Sequence, residues 1–185
     1  MIAPIPKNYK GLISITGPTK SGKSQLAEFL ISEQDPVTYI ATSKPRPNDP
    51  EWQKRIDVHR KRRPDIWSTI EHPKDICKEI ESIEGNESIL IDSLGGLVEH
   101  HLVEDDNQWN NFQIKFLNFL SEDNLCIVVV SEEVGWGIVP ATPIGHLFRE
   151  RHSTLTSLIS RQSKKRWLAI NGTAIDLDKF GELIQ

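Results

Sequence analysis

Gly17-Pro18-Thr19-Lys20-Ser21-Gly22-Lys23-Ser24 fits the spacing Gly-x-x-x-x-Gly-Lys-[Ser/Thr] at every fixed position. No other feature constrains the fold as much. Such a loop works only between a strand and a helix. Glycines let the backbone turn until successive N–H groups point inward. The following helix adds unpaired amides and the positive end of its dipole. The flanks comply: residues 12–16 form a short β-branched run, and residues 22–33 carry Leu26, Ala27, Phe29 and Leu30 on a helical stripe. Lys23 is expected to reach the β- and γ-phosphates of a nucleoside triphosphate, and the Ser24 hydroxyl to coordinate Mg²⁺.

Beyond the loop, strand-like and helix-like segments alternate. Residues 37–42, 66–71, 88–92 and 125–131 read as strands, the last a continuous apolar run suited to a parallel strand covered on both faces. Residues 51–63 read as a polar helix stopped by Pro64. Pro73 is expected to open another helix, with Ile76, Cys77, Ile80 and Ile83 on one face. Trp109, Phe112, Phe116, Phe119 and Leu120 recur at helical spacing and read as core packing. A helix over 144–163 precedes two strands, 166–170 and 174–177, joined across Asn171-Gly172. The alternation predicts an α/β fold of the P-loop NTPase, RecA-like kind: a mostly parallel sheet with helices on both faces. Its ligands belong at the carboxyl ends of the strands.

Composition narrows the function classes. The 185 residues suit one domain, 1–185. A net charge of −4 gives no global reason to expect nucleic acid or an anionic membrane as partner. The longest apolar run, 125–130, is too short to span a bilayer. The first ten residues hold Pro4 and Pro6 and no apolar signal core, so a cytoplasmic enzyme is expected. Cys77 and Cys126 read as buried free thiols. His100, His101 and His152 lack metal-ligand spacing and read as surface residues.

Two further segments carry chemistry. Asp92 ends a strand-like run, where the carboxylate that helps hold Mg²⁺ sits in P-loop proteins; a helix or turn cap is the alternative. The run Arg55-Ile56-Asp57-Val58-His59-Arg60-Lys61-Arg62-Arg63-Pro64 is locally very basic. It reads either as a solvated helix end favoured by the dipole or as a phosphate clamp around a reactive imidazole.

The longer pattern resembles one family. It runs Tyr39-Ile40-Ala41-Thr42-Ser43, then Asp49-x-Glu51, then Arg55-Ile56-x-x-His59-Arg60-x-x-Arg63-Pro64-x-x-Trp67-x-Thr69-x-Glu71. Glu133-Val134-Gly135-x-Gly137-Ile138-Val139-Pro140 and Phe148-Arg149 support it. The family is the bifunctional adenosylcobinamide kinase / adenosylcobinamide-phosphate guanylyltransferase of cobalamin biosynthesis. The resemblance implies a homotrimer and two reactions. ATP or GTP first phosphorylates the aminopropanol hydroxyl of adenosylcobinamide. GMP then passes from GTP to adenosylcobinamide-phosphate through a GMP–histidine intermediate on the position matched by His59. It also implies that Ala41, Thr42, Ser43, Arg60, Lys61, Arg62, Arg63, Glu71 and Asp92 join the phosphate loop in lining the nucleotide site. Nearby cations would keep His59 neutral and stabilise the departing pyrophosphate. Glu71 is a candidate acceptor for the N1 and N2 hydrogens of guanine.

The chain departs from the family pattern in its C-terminal third. Glu132 stands where the family usually has Asn. Glu150, Ser153, Thr156 and Ser157 replace an expected Asp, Gly and Asn-Gln, and His146 an expected Arg. A guanylyltransferase with weakened kinase activity is therefore a rival expectation. A P-loop small-molecule kinase without a covalent step, and a silent nucleotide-binding module, are the others. Retention of Lys23, Ser24, His59 and Asp92 together speaks against the silent module, since binding alone needs no nucleophile.

Overall fold

Strands and helices alternate along the chain as the hydrophobic periodicity predicts. The elements are β1 (Gly11–Gly17), α1 (Lys23–Ile31), β2 (Val37–Ala41), α2 (Pro50–Arg62), β3 (Ser68–Glu71), α3 (Ile76–Glu81) and β4 (Ser88–Asp92). They continue with α4 (Leu94–His100), α5 (Asp106–Leu120), β5 (Cys126–Glu132), α6 (Pro143–Gln162), β6 (Lys165–Ile170), β7 (Thr173–Asp176) and α7 (Leu177–Phe180). These come from a computed structural model describing residues 2–83, 87–122 and 124–184; Met1 and Gln185, the ends of the expected 1–185 unit, lie outside the described residues.

The seven strands form one sheet in the order β3-β2-β4-β5-β1-β6-β7, parallel throughout except for the final β6–β7 pair. Strand alternation sorts side chains into two layers. Ile13, Ile15, Val128, Val130, Leu90 and Tyr39 face α1, whose Leu26, Ala27, Leu30 and Ile31 complete that core. Leu12, Ile127, Val129, Ile89, Ile91 and Ile40 face the opposite way, against α3, α4, α5 and α6. Helices thus cover both faces, and β4 and β5 are buried almost end to end. Truncating one fully buried side chain here, such as Ile13→Ala, would cost about 2–5 kcal/mol through lost transfer energy and a cavity. Trp109, Phe116 and Leu120 are buried as core, with Phe112 and Phe119 packed against them. Both cysteines are buried free thiols, and burial pushes each up to about 11.

Some local expectations change, and one helix arises where none was expected. Pro73 does not open α3; the Asp75 carboxylate accepts from the Lys78 amide at 3.2 Å, and the helix starts at Ile76. Helix α4 has no clear sequence signal because Gly95 and Gly96 lower helix propensity. Gly96 is required all the same: a Cβ there would meet Thr42 Oγ1 at 2.6 Å and the Ser43 backbone nitrogen at 2.7 Å. The histidines read as surface residues are not. His152 is 1% exposed, on the inner face of α6 beside Leu155. The His101 ring stacks on Phe112 at 3.8 Å, and His100 and His101 are half-buried.

Candidate active site

Parallel pairing brings the ends of five strands to one rim. Gly17 pairs with Glu132, Asp92 with Ala41, and Ala41 with Glu71. The strand that feeds the phosphate loop and the strand that ends in Asp92 are separated by β5, so Glu132 ends between them.

The loop is built to receive an anion. Gly22 sits at φ +94 as the N-cap of α1, a conformation L side chains rarely adopt, and no side chain caps the helix. The first amides of α1 therefore keep their hydrogen-bonding capacity for a ligand. Gly17 is fixed by packing: a Cβ would lie 2.1 Å from the Ala169 carbonyl oxygen on β6. The β6–β7 turn braces the loop, since the Gly172 amide donates to the Ser21 carbonyl at 3.0 Å. Lys23 is 7% exposed and its Nζ donates to the Pro18 carbonyl at 3.3 Å. Burial lowers its pKa, Glu132 and Asp92 oppose the shift, and Arg55 adds to it.

Helix α2 borders the other side of the cleft. Asp49 caps it by accepting from the Trp52 amide at 3.0 Å, Pro50 opens it, and its last turn holds His59, Arg60, Lys61 and Arg62. It buries no residue, so salt bridges and polar contacts position it. Arg62 forms a two-pronged pair with Glu28 of α1, both contacts at 3.0 Å. Arg60 grips Glu71 at the end of β3, with contacts of 2.6, 2.9 and 3.1 Å. The Arg63 guanidinium lies 3.4 Å from the centre of the Tyr39 ring. Tyr39 in turn donates its hydroxyl to Asp92 Oδ2 at 2.6 Å. Burial lowers the His59 pKa; Asp92 opposes the shift and Arg62, Arg55 and Arg63 reinforce it.

Behind Asp92 the chain turns into α4 under close control. Thr42 Oγ1 accepts from the Ser93 amide at 3.1 Å and donates to the Ser93 carbonyl. Glu132 accepts from the Ser93 hydroxyl, from the Gly95 amide at 2.9 Å and from His152 Nε2 at 3.3 Å. A carboxylate from β5 thus caps the first turn of α4, in place of Ser93, whose hydroxyl is used on Glu132. Burial raises the Glu132 pKa, but hydrogen bonds from His152 and Ser93 and the His152 charge outweigh it and bring it down to about 2.

Two adjoining cavities, of ≈ 590 and ≈ 620 Å³, occupy this rim. Thr19, Lys23, Ser24, Ala41, Ser43, His59, Arg60, Arg63, Glu71 and Asp92 line the larger. Lys20, Ser21, Gly22 and Arg62 line the loop side, where Lys23, Ser24 and His59 appear again. Gly17 and Pro18 form the base of the loop. Like Gly17 and Pro18, two more expected residues line neither cavity: Thr42 is 3% exposed and holds the Asp92 corner from behind, and Lys61 is exposed to solvent. Glu28, Tyr39 and Glu132 contribute without having been singled out as site residues. Tyr39 had one signal, its place two residues before Ala41 on the same strand. Glu28 had none, being the single carboxylate of α1 and outside every quoted motif.

The donor set suits Mg²⁺. Ser24 and Asp92 line the same cavity, and Asp92 commits only Oδ2 to Tyr39, leaving Oδ1 for a metal. One hydroxyl and one carboxylate, with phosphate oxygens and water filling the rest, is the sparse protein contribution that Mg²⁺ usually takes.

The chain is similar to known proteins over most of its length. The family described as "Cobinamide kinase / cobinamide phosphate guanyltransferase" matches residues 13–177. The bifunctional adenosylcobalamin biosynthesis protein CobU of Escherichia coli K12 is 30% identical over 183 residues, covering 90% of this chain and 99% of that protein. CobP of Pseudomonas aeruginosa, of the same description, is 32% identical over 166 residues, covering 88% and 95%. Among solved structures, a Pyrococcus horikoshii OT3 protein superposes with a TM-score of 0.55 at 8% identity, covering 98% of this chain and 94% of that one. A prototypical ATPase from the type III secretion system of pathogenic bacteria gives 0.51 at 11% identity, covering 94% and 59%. The fold is that of P-loop NTPases.

Proposed function

The chain belongs to the cobinamide kinase / cobinamide phosphate guanyltransferase family and is a transferase, and from that premise we propose that it carries out both reactions through His59 and the phosphate loop. The carrying observation is that His59, Lys23, Ser24 and Asp92 line one cavity at the strand ends.

In the kinase step, the amides of α1 and the Lys23 ammonium bind the β- and γ-phosphates of ATP or GTP. They draw off the charge that builds as the γ-phosphoryl group moves to the aminopropanol hydroxyl of adenosylcobinamide. Mg²⁺ held by Ser24 and Asp92 would neutralise phosphate charge and orient the β- and γ-oxygens. In the guanylyl step, neutral His59 attacks the α-phosphorus of GTP. A nitrogen–phosphorus bond forms, the bond to the β-phosphate oxygen breaks, and pyrophosphate leaves. An oxygen of adenosylcobinamide-phosphate then displaces the imidazole, giving adenosylcobinamide-GDP and freeing His59. Arg62, Arg55 and Arg63 disfavour the imidazolium form before attack, and the cations around the cleft stabilise the phosphate charge during it. Glu71, steadied by Arg60, accepts from guanine N1 and N2 hydrogens and selects GTP. The exposed apolar residues Trp136, Ile138, Val139 and Ile144 support association of copies into the homotrimer.

The test is incubation with Mg²⁺ and GTP labelled at the α-phosphate, followed by denaturation. Acid-labile, alkali-stable label on the parent chain and none on His59→Ala is the expected result. An unlabelled parent that still binds GTP would refute the covalent step.

A further inference from the structure

Arg62 closes α2 one turn beyond His59, and its guanidinium joins two elements. Nε and Nη2 donate to the two oxygens of Glu28, each at 3.0 Å. The same Nη2 lies 3.2 Å from His59 Nδ1. A guanidinium is donor-only and keeps its protons at any working pH. The contact therefore has one chemical meaning. Nδ1 accepts, its lone pair is directed at Arg62, and the proton of the neutral ring sits on Nε2. In that arrangement neither ring nitrogen offers a free lone pair. Nδ1 shares its own with Arg62, and Nε2 is tied up by its proton.

Glu28 gives the contact its persistence. Its side chain is 11% exposed and that of Arg62 28%, so the pair is shielded and its fork geometry is set. Glu28 also rides on α1, the helix whose first turn receives the phosphates. Arg62 lines the loop-side cavity together with Lys20, Gly22 and Lys23, where an arriving anion competes for its donors.

We propose that the Glu28–Arg62 pair is a latch on His59: it holds the imidazole in the Nε2–H tautomer and masks Nδ1 until the oxygens of a bound triphosphate draw Arg62 away. Arg62 and Glu28 are positioning residues here, acting on the reaction through the ring they orient. The latch rests on the reading of His59 as nucleophile, and it explains how a reactive imidazole stays quiet when no nucleotide is present. Glu28 lies outside every motif that carries the family resemblance.

The test uses the full chain without nucleotide at pH 8, where the imidazole is neutral in parent and variants alike. Two readouts are taken: the ring-nitrogen NMR shifts of His59 in protein labelled with ¹⁵N-histidine, and the rate at which diethylpyrocarbonate modifies His59. The parent is expected to show the Nε2–H tautomer and slow modification. Arg62→Met is expected to show mixed tautomers and modification about tenfold faster, the factor associated with one charge-assisted hydrogen bond. Glu28→Gln keeps Arg62 but weakens its anchor, and falls between the two; it serves as the second variant should Arg62→Met fold poorly. An Nδ1–H tautomer in the parent, or equal modification rates in all three proteins, would overturn the latch. Neither readout needs turnover. A parent in the Nε2–H tautomer that takes no label from GTP overturns the nucleophile reading instead, so the two failures are distinguishable.

Discussion

Replacing Glu132 by Gln keeps the shape of the side chain and removes its charge. The carboxylate accepts from Ser93, Gly95 and His152; burial raises its pKa, but His152 and Ser93 outweigh that and bring it from 4.5 down to about 2. A fall of that size corresponds to about 3 kcal/mol. The side chain still presents 29% of its surface to the cleft, where water screens the interaction, so about 2 kcal/mol is carried forward. The sign follows from linkage. The folded-state pKa lies below the unfolded one, so the contribution is present in full above about pH 5 and is lost as pH falls toward 2. Urea unfolding of parent and Glu132→Gln at pH 7 should therefore differ by about 2 kcal/mol, and at pH 3 by less than about 1 kcal/mol. A difference that is the same at both pH values, or below about 0.5 kcal/mol at pH 7, would refute the assignment and reduce Glu132 to an ordinary rim residue.

Two further outcomes follow from the same cleft. Tyr39→Phe keeps the ring under Arg63 but takes the hydroxyl from Asp92; urea melts should lose about 1–2 kcal/mol, and an unchanged midpoint would mean that Asp92 finds another donor. The rate of His59 labelling by GTP should fall on acidification with its midpoint below the ordinary 6.5, because burial and the arginines lower the imidazole pKa; a midpoint at or above 6.5 would contradict that setting for His59.

What could be read from the sequence follows from how local each determinant is. The phosphate loop is contiguous, and its physics depends on a strand before it and a helix after it, so the eight residues announce their own conformation. Strands β4 and β5 are covered on both faces and appear as unbroken apolar runs. Residues 66–71 were expected as strand, but the strand starts at Ser68, because β3 is an edge strand with little buried surface to mark its bounds. Helix α4 escaped because Gly96 answers to Thr42 and Ser43, residues far away in sequence. His152 escaped for a related reason: a histidine on a helix reads as polar until its inner-face partner is known, and that partner, Glu132, comes from another strand.

The residues that tune the site share this property of being joined across the sheet. Tyr39 of β2 orients Asp92 of β4. Glu28 of α1 orients Arg62 of α2, and Glu132 of β5 caps α4. Each pair is meaningful only once the strand order is set, because β2 and β4 are neighbours in space with α2, β3 and α3 between them in the chain. The sequence motifs therefore identify the groups that touch phosphate, whereas the groups that aim them depend on topology. Glu132 illustrates the consequence. It stands where the family resemblance expects Asn, and a carboxylate there would be costly unless a donor faced it. The fold supplies that donor as His152, one position before Ser153, itself a departure from the family pattern. Of the departures in the C-terminal third, Glu132 and Thr156 meet through His152, whose Nε2 faces Glu132 and whose Nδ1 lies 3.4 Å from the Thr156 hydroxyl, and Glu132 acts on the Asp92 corner through α4.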